Sequence, residues 1–143
     1  NLLGIWGSGP DDVFAVGGEG GIIHYNGKAW SDMPSGTTSF LTGVWGTSAS
    51  DVFAVGWDGA ILHYDGSAWS AMVSGTDGWL MDVWGSSSTD VFAVGYSRDI
   101  LHYDGHAWSA RECDSSGLEG VWGSSSSDVF AVGAGGVIVH YSR

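Results

Sequence analysis

The sequence predicts an all-β fold built from four repeats of one unit, and two observations lead to this prediction. The hexapeptide Asp-Val-Phe-Ala-Val-Gly occurs four times, at 12–17, 51–56, 90–95 and 128–133. A Trp-Gly pair precedes each copy, first at Trp6, and the pairs are spaced 39, 39 and 38 residues apart. A fixed period of about 40 residues indicates a repeat architecture rather than an ordinary globular domain.

Each unit has the pattern of four short strands. In the second unit, the segments 41–45, 51–55, 61–64 and 68–72 are rich in β-branched and aromatic residues. No window shows a convincing helical period. Four antiparallel strands in about 40 residues are the size of a blade in a β-propeller, in which each blade buries its faces against its neighbours.

The connections between strands carry turn residues. Asn26-Gly27, Asp65-Gly66 and Asp104-Gly105 separate the third and fourth strands of their units. An Asx-Gly pair favours a type I′ hairpin, in which both central residues have positive φ. We therefore predict type I′ turns at these three sites.

The unit also resembles known propeller repeats. The pattern Leu-x-x-Val-x-x followed by Phe-Ala-Val-Gly-x-x-Gly-x-Ile-x-x-Tyr-Asp-Gly-x-x-Trp looks like the Asp-box and photosystem II assembly-factor type of repeat. It is also similar to Trp-Gly-rich repeats of bacterial secreted and surface proteins. The resemblance covers essentially the whole chain. The segment 64–69 is only similar to a strict Asp box. Propellers of this kind serve as lectins, hydrolases, assembly factors and adhesion modules, so the resemblance indicates fold more than function.

The periodicity divides the chain into four blades, which form a single propeller or half-propeller domain over 1–143. The predicted blades are 2–40, 41–79, 80–117 and 118–143. The fourth has residues for three strands and lacks the outer one. We expect two chains to complete an eight-bladed ring as a homodimer that joins through blade edges. A closed four-bladed ring and a piece of a longer propeller are the alternatives.

Composition excludes several classes of function. The net charge is −12, with only four Lys and Arg residues among 143, so binding to nucleic acid is not expected. No apolar run is long enough for a membrane-spanning helix, so we expect no insertion into membranes. Cys113 is the single cysteine, and its acidic neighbours disfavour a reactive thiolate. No cofactor is predicted.

Three kinds of residue recur in every unit, and two of them, the aspartates and the histidines, invite a catalytic or metal-binding interpretation. A catalytic triad is normally built once, whereas this set recurs with each blade. We therefore predict a structural role in hydrogen bonding between strands, with no catalytic residue and no metal site. The recurring residues are Trp6, Trp45, Trp84 and Trp122; Asp12, Asp51, Asp90 and Asp128; and His24, His63, His102 and His140.

The units differ mainly in two connections, which should emerge on the same face of the ring. One connection joins the second and third strands, and the other joins consecutive blades. We predict that this variable face is the binding surface, because exposed aromatics beside charged groups bind sugars and form protein hot spots. Its candidate residues are Trp57, Asp58, Tyr96, Arg98, Asp99, Trp79 and Phe40. The alternative is that the aromatic side chains only cap the core between blades.

These observations together predict a non-enzymatic recognition or scaffold module that assembles into a ring and binds glycan or protein. One alternative is a purely structural repeat, amplified or engineered, with no ligand. A second alternative is a propeller related to the Asp-box glycoside hydrolases, which would need carboxylates and arginines clustered at the ring centre. We expect the protein to be extracellular or on the surface of a bacterial cell.

Overall fold

The computed structural model describes residues 1–96, 99–115 and 117–143, and these form fifteen strands in four antiparallel sheets. The strands follow the chain in order within each sheet. Blade 1 contains β1 (Leu2–Gly9), β2 (Asp12–Gly17), β3 (Ile22–Tyr25) and β4 (Trp30–Met33). Blade 2 contains β5 (Leu41–Ser48), β6 (Asp51–Gly56), β7 (Ile61–Tyr64) and β8 (Trp69–Ala71). Blade 3 contains β9 (Leu80–Ser87), β10 (Asp90–Gly95), β11 (Asp99–Tyr103) and β12 (Trp108–Glu112). Blade 4 contains β13 (Leu118–Ser125), β14 (Asp128–Gly133) and β15 (Val137–Ser142).

This arrangement confirms the predicted all-β propeller of four blades, with three strands in the described part of the last one. The first strand of each blade is innermost, because β1 contacts β5, β5 contacts β9, and β9 contacts β13. The order of strands within a blade then runs outwards from the centre of the ring.

The repeated hexapeptide forms the second strand of each blade, and in the two inner blades it buries both of its faces. In β6, Val52 and Ala54 pack towards blade 1, whereas Phe53 and Val55 pack towards blade 3. Successive side chains of a strand point to opposite faces, so a strand between two neighbouring sheets must be apolar throughout. This is why the hexapeptide is a continuous apolar run and does not alternate with polar residues.

Each blade therefore has two apolar faces. We call the face towards the preceding blade the N-face and the face towards the following blade the C-face. In blade 2 the N-face comprises Leu41, Val44, Val52, Ala54, Leu62 and Trp69, and the C-face comprises Phe53, Val55 and Ile61. The C-face of one blade packs on the N-face of the next, which forms three clusters of buried residues between the four described blades.

The four blades form an open arc, because the outer faces of the two end blades are exposed. On the N-face of blade 1, Leu2 is 59% exposed, although Leu41, its equivalent in blade 2, is fully buried. Ile5 on the same face is 70% exposed. On the C-face of blade 4, Val132 is 49% exposed, whereas the equivalent Val55 is fully buried. The closed four-bladed ring is therefore not the arrangement in this structure.

The hairpins between the third and fourth strands differ from the predicted type I′ turns. Among the described residues, only Glu19 and Asp58 have positive φ without being glycine, so Asn26 does not meet the type I′ requirement. Instead, the Asn26 side-chain oxygen accepts hydrogen bonds from the backbone N–H groups of Lys28 and Ala29. The Asx side chain replaces a backbone acceptor, and only the following glycine needs positive φ.

The same capping lowers the pKa of the aspartates at the other two hairpins. Backbone N–H groups of Ala68 and Ser67 bind the Asp65 carboxylate and lower its pKa to about 2. Asp104 is bound in the same way, and its pKa is lowered. In the described part of the chain, no helix is long and apolar enough to cross a membrane.

Candidate functional site

The residues of the variable face are positioned by a backbone hydrogen bond that recurs in every blade. The residue after the hexapeptide donates its N–H to the carbonyl of the residue before the inner strand. Trp57 donates in this way to Phe40 at 2.9 Å, and Tyr96 donates to Trp79 at 2.8 Å. The end blades use the same bond without aromatic residues, from Gly18 to Asn1 and from Ala134 to Gly117. The frame is common to all blades, and the aromatic side chains are specific to blades 2 and 3.

Four aromatic side chains form a continuous row across these two blades. Phe40 directly precedes β5 of blade 2, and its ring stacks on that of Trp57 at 4.5 Å between centroids. Trp57 then stacks on Trp79, which directly precedes β9 of blade 3, at 4.1 Å with only 5° between the ring planes. Tyr96 meets Trp79 edge to face at 6.4 Å. We call these four residues the aromatic row.

The aromatic row is only partly covered by protein. Trp79 and Tyr96 are each 43% exposed, and Phe40 and Trp57 are half-buried. Trp57 is half-buried because it is enclosed between the rings of Phe40 and Trp79. Trp79 and Tyr96 thus present exposed rings, whereas Phe40 and Trp57 also cover the junction of blades 2 and 3.

Carboxylates lie at both ends of the aromatic row. Asp58 follows Trp57 and accepts a hydrogen bond from the Ser39 hydroxyl at 3.0 Å. At the other end, the Tyr96 hydroxyl donates to the Glu119 carboxylate at 2.6 Å. This hydrogen bond raises the pKa of Tyr96, because the carboxylate stabilises the protonated phenol. The row is therefore an apolar strip with negative charge at its ends.

The remaining candidates of the variable face are placed differently. Asp99 is the first residue of β11 and not part of the preceding connection. Arg98 lies outside the described residues. Glu119, which sequence analysis did not select, is brought to the row by β13 of the following blade. It lies 23 residues after Tyr96, so no local pattern in the sequence relates the two.

The recurring aspartates and histidines form one hydrogen-bonded chain in each blade. The aspartate at the start of the second strand binds a histidine of the third strand at 2.6 to 2.7 Å, and it also accepts a hydrogen bond from a hydroxyl of the first strand. The four sets are Ser8–Asp12–His24, Thr47–Asp51–His63, Ser86–Asp90–His102 and Ser124–Asp128–His140. Each set joins the first three strands of its own blade.

The connectivity of these sets differs from that of a catalytic triad. In a triad the histidine lies between serine and aspartate, so that it can accept the proton of the nucleophile. Here the aspartate lies between the other two groups, and the hydroxyl donates to a carboxylate instead of a histidine. The arrangement satisfies buried polar groups between strands and offers no activated nucleophile.

Hydrogen bonding outweighs burial in setting the pKa of Asp12 and Asp90. Burial alone would raise the pKa of Asp90, but hydrogen bonds from Ser86, His102 and Arg143 lower it. Asp12 shows the same balance, because the hydrogen bonds from its hydroxyl and histidine partners lower its pKa against the effect of burial. These carboxylates are therefore ionised acceptors at neutral pH.

The recurring tryptophans of the Trp-Gly pairs lie at the blade junctions. Trp6, Trp45 and Trp84 pack against the three buried clusters, one at each junction. Trp122 occupies the same position in blade 4 and is 59% exposed. Within residues 1–96, 99–115 and 117–143, no group of three or more His, Cys, Asp or Glu side chains is close enough to hold a metal ion.

One carboxylate of the inner strands departs from the repeat. Asp82 in β9 occupies the position of Gly43 in β5 and Gly120 in β13. It accepts a hydrogen bond from the Val121 N–H of blade 4 at 2.9 Å, and burial raises its pKa. Asp82 thus links the inner strands of two neighbouring blades.

The fold is shared with solved propellers. The chain is similar to YCF48 from Cyanidioschyzon merolae, with a TM-score of 0.77 and 16% identity over 99% of this chain and 51% of that chain. A structure of YCF48 bound to D1 peptide gives a TM-score of 0.75 at 16% identity with the same coverage. The WD40 β-propeller domain of Doa1 gives 0.52 at 9% identity, over 99% of this chain and 65% of that chain. Neither a protein-family model nor a curated protein sequence matches the chain. The chain spans about half the length of the YCF48 chains, and the likeness confirms the β-propeller fold.

Proposed function

We propose that the protein is a non-enzymatic recognition or scaffold module that assembles into a ring and binds its ligand through the aromatic row. The observation that carries the recognition role is the row itself, Phe40, Trp57, Trp79 and Tyr96. It is continuous across two blades and partly open to solvent, and the equivalent positions of the end blades carry no aromatic side chain.

Ring assembly is supported by the residues on the two exposed end faces. The N-face of blade 1 and the C-face of blade 4 have the same residue types that pack together at each internal junction. Trp30 is 48% exposed on blade 1, whereas the equivalent Trp69 and Trp108 of the inner blades are 8% and 9% exposed. A second chain can therefore cover both end faces with the packing already used inside the arc, which would close a ring of eight blades.

The mass of the purified chain in solution tests this assembly. Multi-angle light scattering should give twice the chain mass of 14.9 kDa, because two arcs close one ring. Open heterologous contacts would instead give a series of larger species. A folded monomer at all accessible concentrations would contradict ring assembly and leave the aromatic row as the only proposed surface.

The ligand of the aromatic row is proposed to be a glycan or a protein segment. Stacked indole rings bind the apolar faces of sugars and also the side chains of peptides. YCF48 has been solved with a peptide bound, which supports a protein ligand for a propeller of this shape. The carboxylates of Asp58 and Glu119 would favour ligands with hydroxyl groups or positive charge near the ends of the row.

Binding to arrays distinguishes these ligands and tests the row. The labelled protein is applied to a glycan array and to a peptide array, alongside the variants Trp79→Ala and Trp79→Phe. We expect binding to be lost in Trp79→Ala and retained in part in Trp79→Phe, which keeps a stacking ring. Val73→Ala is the matched control, because Val73 is 87% exposed and lies outside the row. The absence of binding to either array would favour the alternative of a purely structural repeat.

The hydrolase alternative has less support in the described residues. The recurring aspartates of this chain are hydrogen-bonded to hydroxyl and histidine partners in the same blade, as in the Ser8–Asp12–His24 set. We propose an extracellular or cell-surface location only from the resemblance to bacterial surface repeats. Fractionation of the native host tests that proposal directly.

A further inference from the structure

Each junction between neighbouring blades contains the same kind of aromatic pair. A phenylalanine from the hexapeptide of one blade meets a tyrosine from the third strand of the next, at 5.5 to 5.7 Å between ring centroids and 54° to 58° between planes. The three pairs are Phe14–Tyr64, Phe53–Tyr103 and Phe92–Tyr141. Their close agreement shows that the three junctions are built on one geometry.

In the first two junctions a tryptophan completes this pair. Trp69 meets Phe14 edge to face at 5.9 Å, and Trp108 meets Phe53 in the same way at 6.2 Å. Both tryptophans belong to the outer strand of their blade, in an Ala-Trp-Ser sequence. Both are more than nine-tenths buried, so the outer strand contributes an essential part of each junction.

The third junction has the phenylalanine and the tyrosine, but no strand of the described residues pairs with the outer edge of β15. A groove of about 610 Å³ lies there between blades 3 and 4. We call it the acceptor groove. Its lining includes Phe92, Arg111, Cys113, Val121, Val139 and Tyr141. Phe92 and Tyr141 are therefore placed to receive an indole ring, as the equivalent residues do at the other junctions.

We infer that the acceptor groove binds an extended peptide segment with the sequence pattern Asp-Gly-x-Ala-Trp-Ser, which adds to β15 as a fourth strand. In blade 2 the registered pairs are Tyr64 with Trp69, His63 with Ser70, and Leu62 with Ala71. The same antiparallel register places the incoming tryptophan opposite Tyr141. The ligand is thus a peptide strand, recognised by backbone pairing and by one buried indole ring.

The charged groups of the groove fit this mode of binding. The guanidinium groups of Arg111 and Arg143 lie 5.5 and 5.7 Å from the centre of the Tyr141 ring. Arg143 is fixed by a hydrogen bond to Asp90 at 2.5 Å. The two cations lie beside the aromatic ring, where they can attract the aspartate that begins the incoming pattern. An open edge strand that carries its own recognition pocket is a typical site for strand addition.

A synthetic peptide tests this inference with the whole chain. The peptide has the sequence of residues 65–73, Asp-Gly-Ser-Ala-Trp-Ser-Ala-Met-Val, with a fluorescent label at its N-terminus. Fluorescence anisotropy measures its binding to the protein. We expect saturable binding, and we expect it to weaken at least about 30-fold when the peptide tryptophan is replaced by alanine, because a buried indole is a typical hot spot. This comparison needs no change in the protein.

Two protein variants locate the binding site. Val139→Lys places a charge in the acceptor groove and should abolish binding of the peptide. Val132→Lys is the matched control, because Val132 lies outside the lining of the groove, on the exposed C-face of blade 4. It should bind the peptide as the unchanged protein does, although it should impair ring assembly. The inference is independent of the proposed ring and of the aromatic row.

Three outcomes would overturn the inference. They are the absence of binding, equal binding of the peptides with tryptophan and with alanine, and equal binding by the Val139→Lys variant. Loss of self-association in Val139→Lys would also contradict it, since the groove would then be covered by a second copy of the chain. Light scattering of the variant makes that measurement.

Discussion

Substitution of Val132 by lysine should prevent ring assembly without unfolding the chain. Val132 is 49% exposed on the C-face of blade 4, and its equivalents Val55 and Val94 are fully buried at the internal junctions. A second chain that covered this face would remove the exposed half of the Val132 side chain from water. The substitution should be tolerated in the single chain, because no blade packs against this face in the arc.

The magnitude follows from the exposed fraction. Complete burial of a valine contributes about 1.5 to 3 kcal/mol, so burial of its exposed half contributes roughly 0.75 to 1.5 kcal/mol. A ring of two chains contains this contact twice, which doubles the loss to about 1.5 to 3 kcal/mol. The dissociation constant of the dimer should therefore rise roughly 10- to 150-fold. Burial of the lysine ammonium adds a further cost in the same direction.

Sedimentation velocity over a range of concentrations measures this change. The control is Val73→Lys, which introduces the same charge at an exposed valine away from both end faces. We expect the unchanged protein and the control to sediment as dimers under conditions in which Val132→Lys is a folded monomer. A dimer of unchanged affinity in Val132→Lys would refute the reasoning, because the end face would then not be the interface.

Three further comparisons of variants test the contacts within the arc by chemical denaturation. Asp90→Asn should lower the free energy of unfolding by about 2 to 3 kcal/mol at pH 7, the usual cost of lost hydrogen bonds to a charged group. Asp128→Asn should lower it by less, because Asp128 and its partner His140 are more exposed than Asp90 and His102. Hydrogen bonding lowers the pKa of Asp90 below its ordinary value of 3.8. The ionised carboxylate therefore contributes fully to the stability of the fold above pH 3.8, and this contribution is lost as the pH falls through the pKa of Asp90 in the folded state. Asp82→Asn should stabilise the protein at pH 7 and have no effect well below pH 4, because burial raises the pKa of Asp82 and disfavours its ionised form. Gly59→Ala should be more destabilising than Gly75→Ala. Both glycines have positive φ, which costs about 1 kcal/mol for alanine. Only at Gly59 would the new Cβ also clash, because it would lie 1.9 Å from the backbone oxygen of Thr76.

Each of these expectations has a clear contrary result. A difference between Asp90→Asn and the unchanged protein that persisted at low pH would show that the carboxylate does not act through its charge. A destabilised Asp82→Asn at pH 7 would show that the ionised form is favoured in the fold. Equal effects of Gly59→Ala and Gly75→Ala would mean that the backbone near Thr76 can move away.

Much of the fold could be predicted because the forces that determine it are local and repeated. The predicted strand 61–64 coincides with β7, since an apolar pair followed by His-Tyr fits a strand between two packed sheets. The prediction of a type I′ turn was wrong because the Asn26 side chain competes with the backbone as a hydrogen-bond acceptor. That competition depends on the geometry of a few atoms, and the residue pair alone does not determine it.

The candidate site was predictable only in part. The difference between units identified Trp57 and Trp79 as members of one face. Their stacking depends on the angle between blades 2 and 3, which no pattern within a unit contains. The contact between Tyr96 and Glu119 also joins two units, and Glu119 occupies a position where Thr42 and Met81 gave no sign of function.

In the proposed ring, assembly of two chains would use the same contacts that fold each chain. Every internal junction packs a C-face on an N-face, so a sequence that stacks its own blades necessarily leaves one of each at its two ends. In salt solution, repulsion between chains of net charge −12 is largely screened beyond about 10 Å and opposes their approach within that distance. Apolar contacts act only at close range, so a single imperfect contact gains little against this repulsion. Two chains that form both junctions at once obtain twice the apolar burial for one loss of translational freedom. For the proposed assembly, this would favour a closed ring over an open chain of arcs.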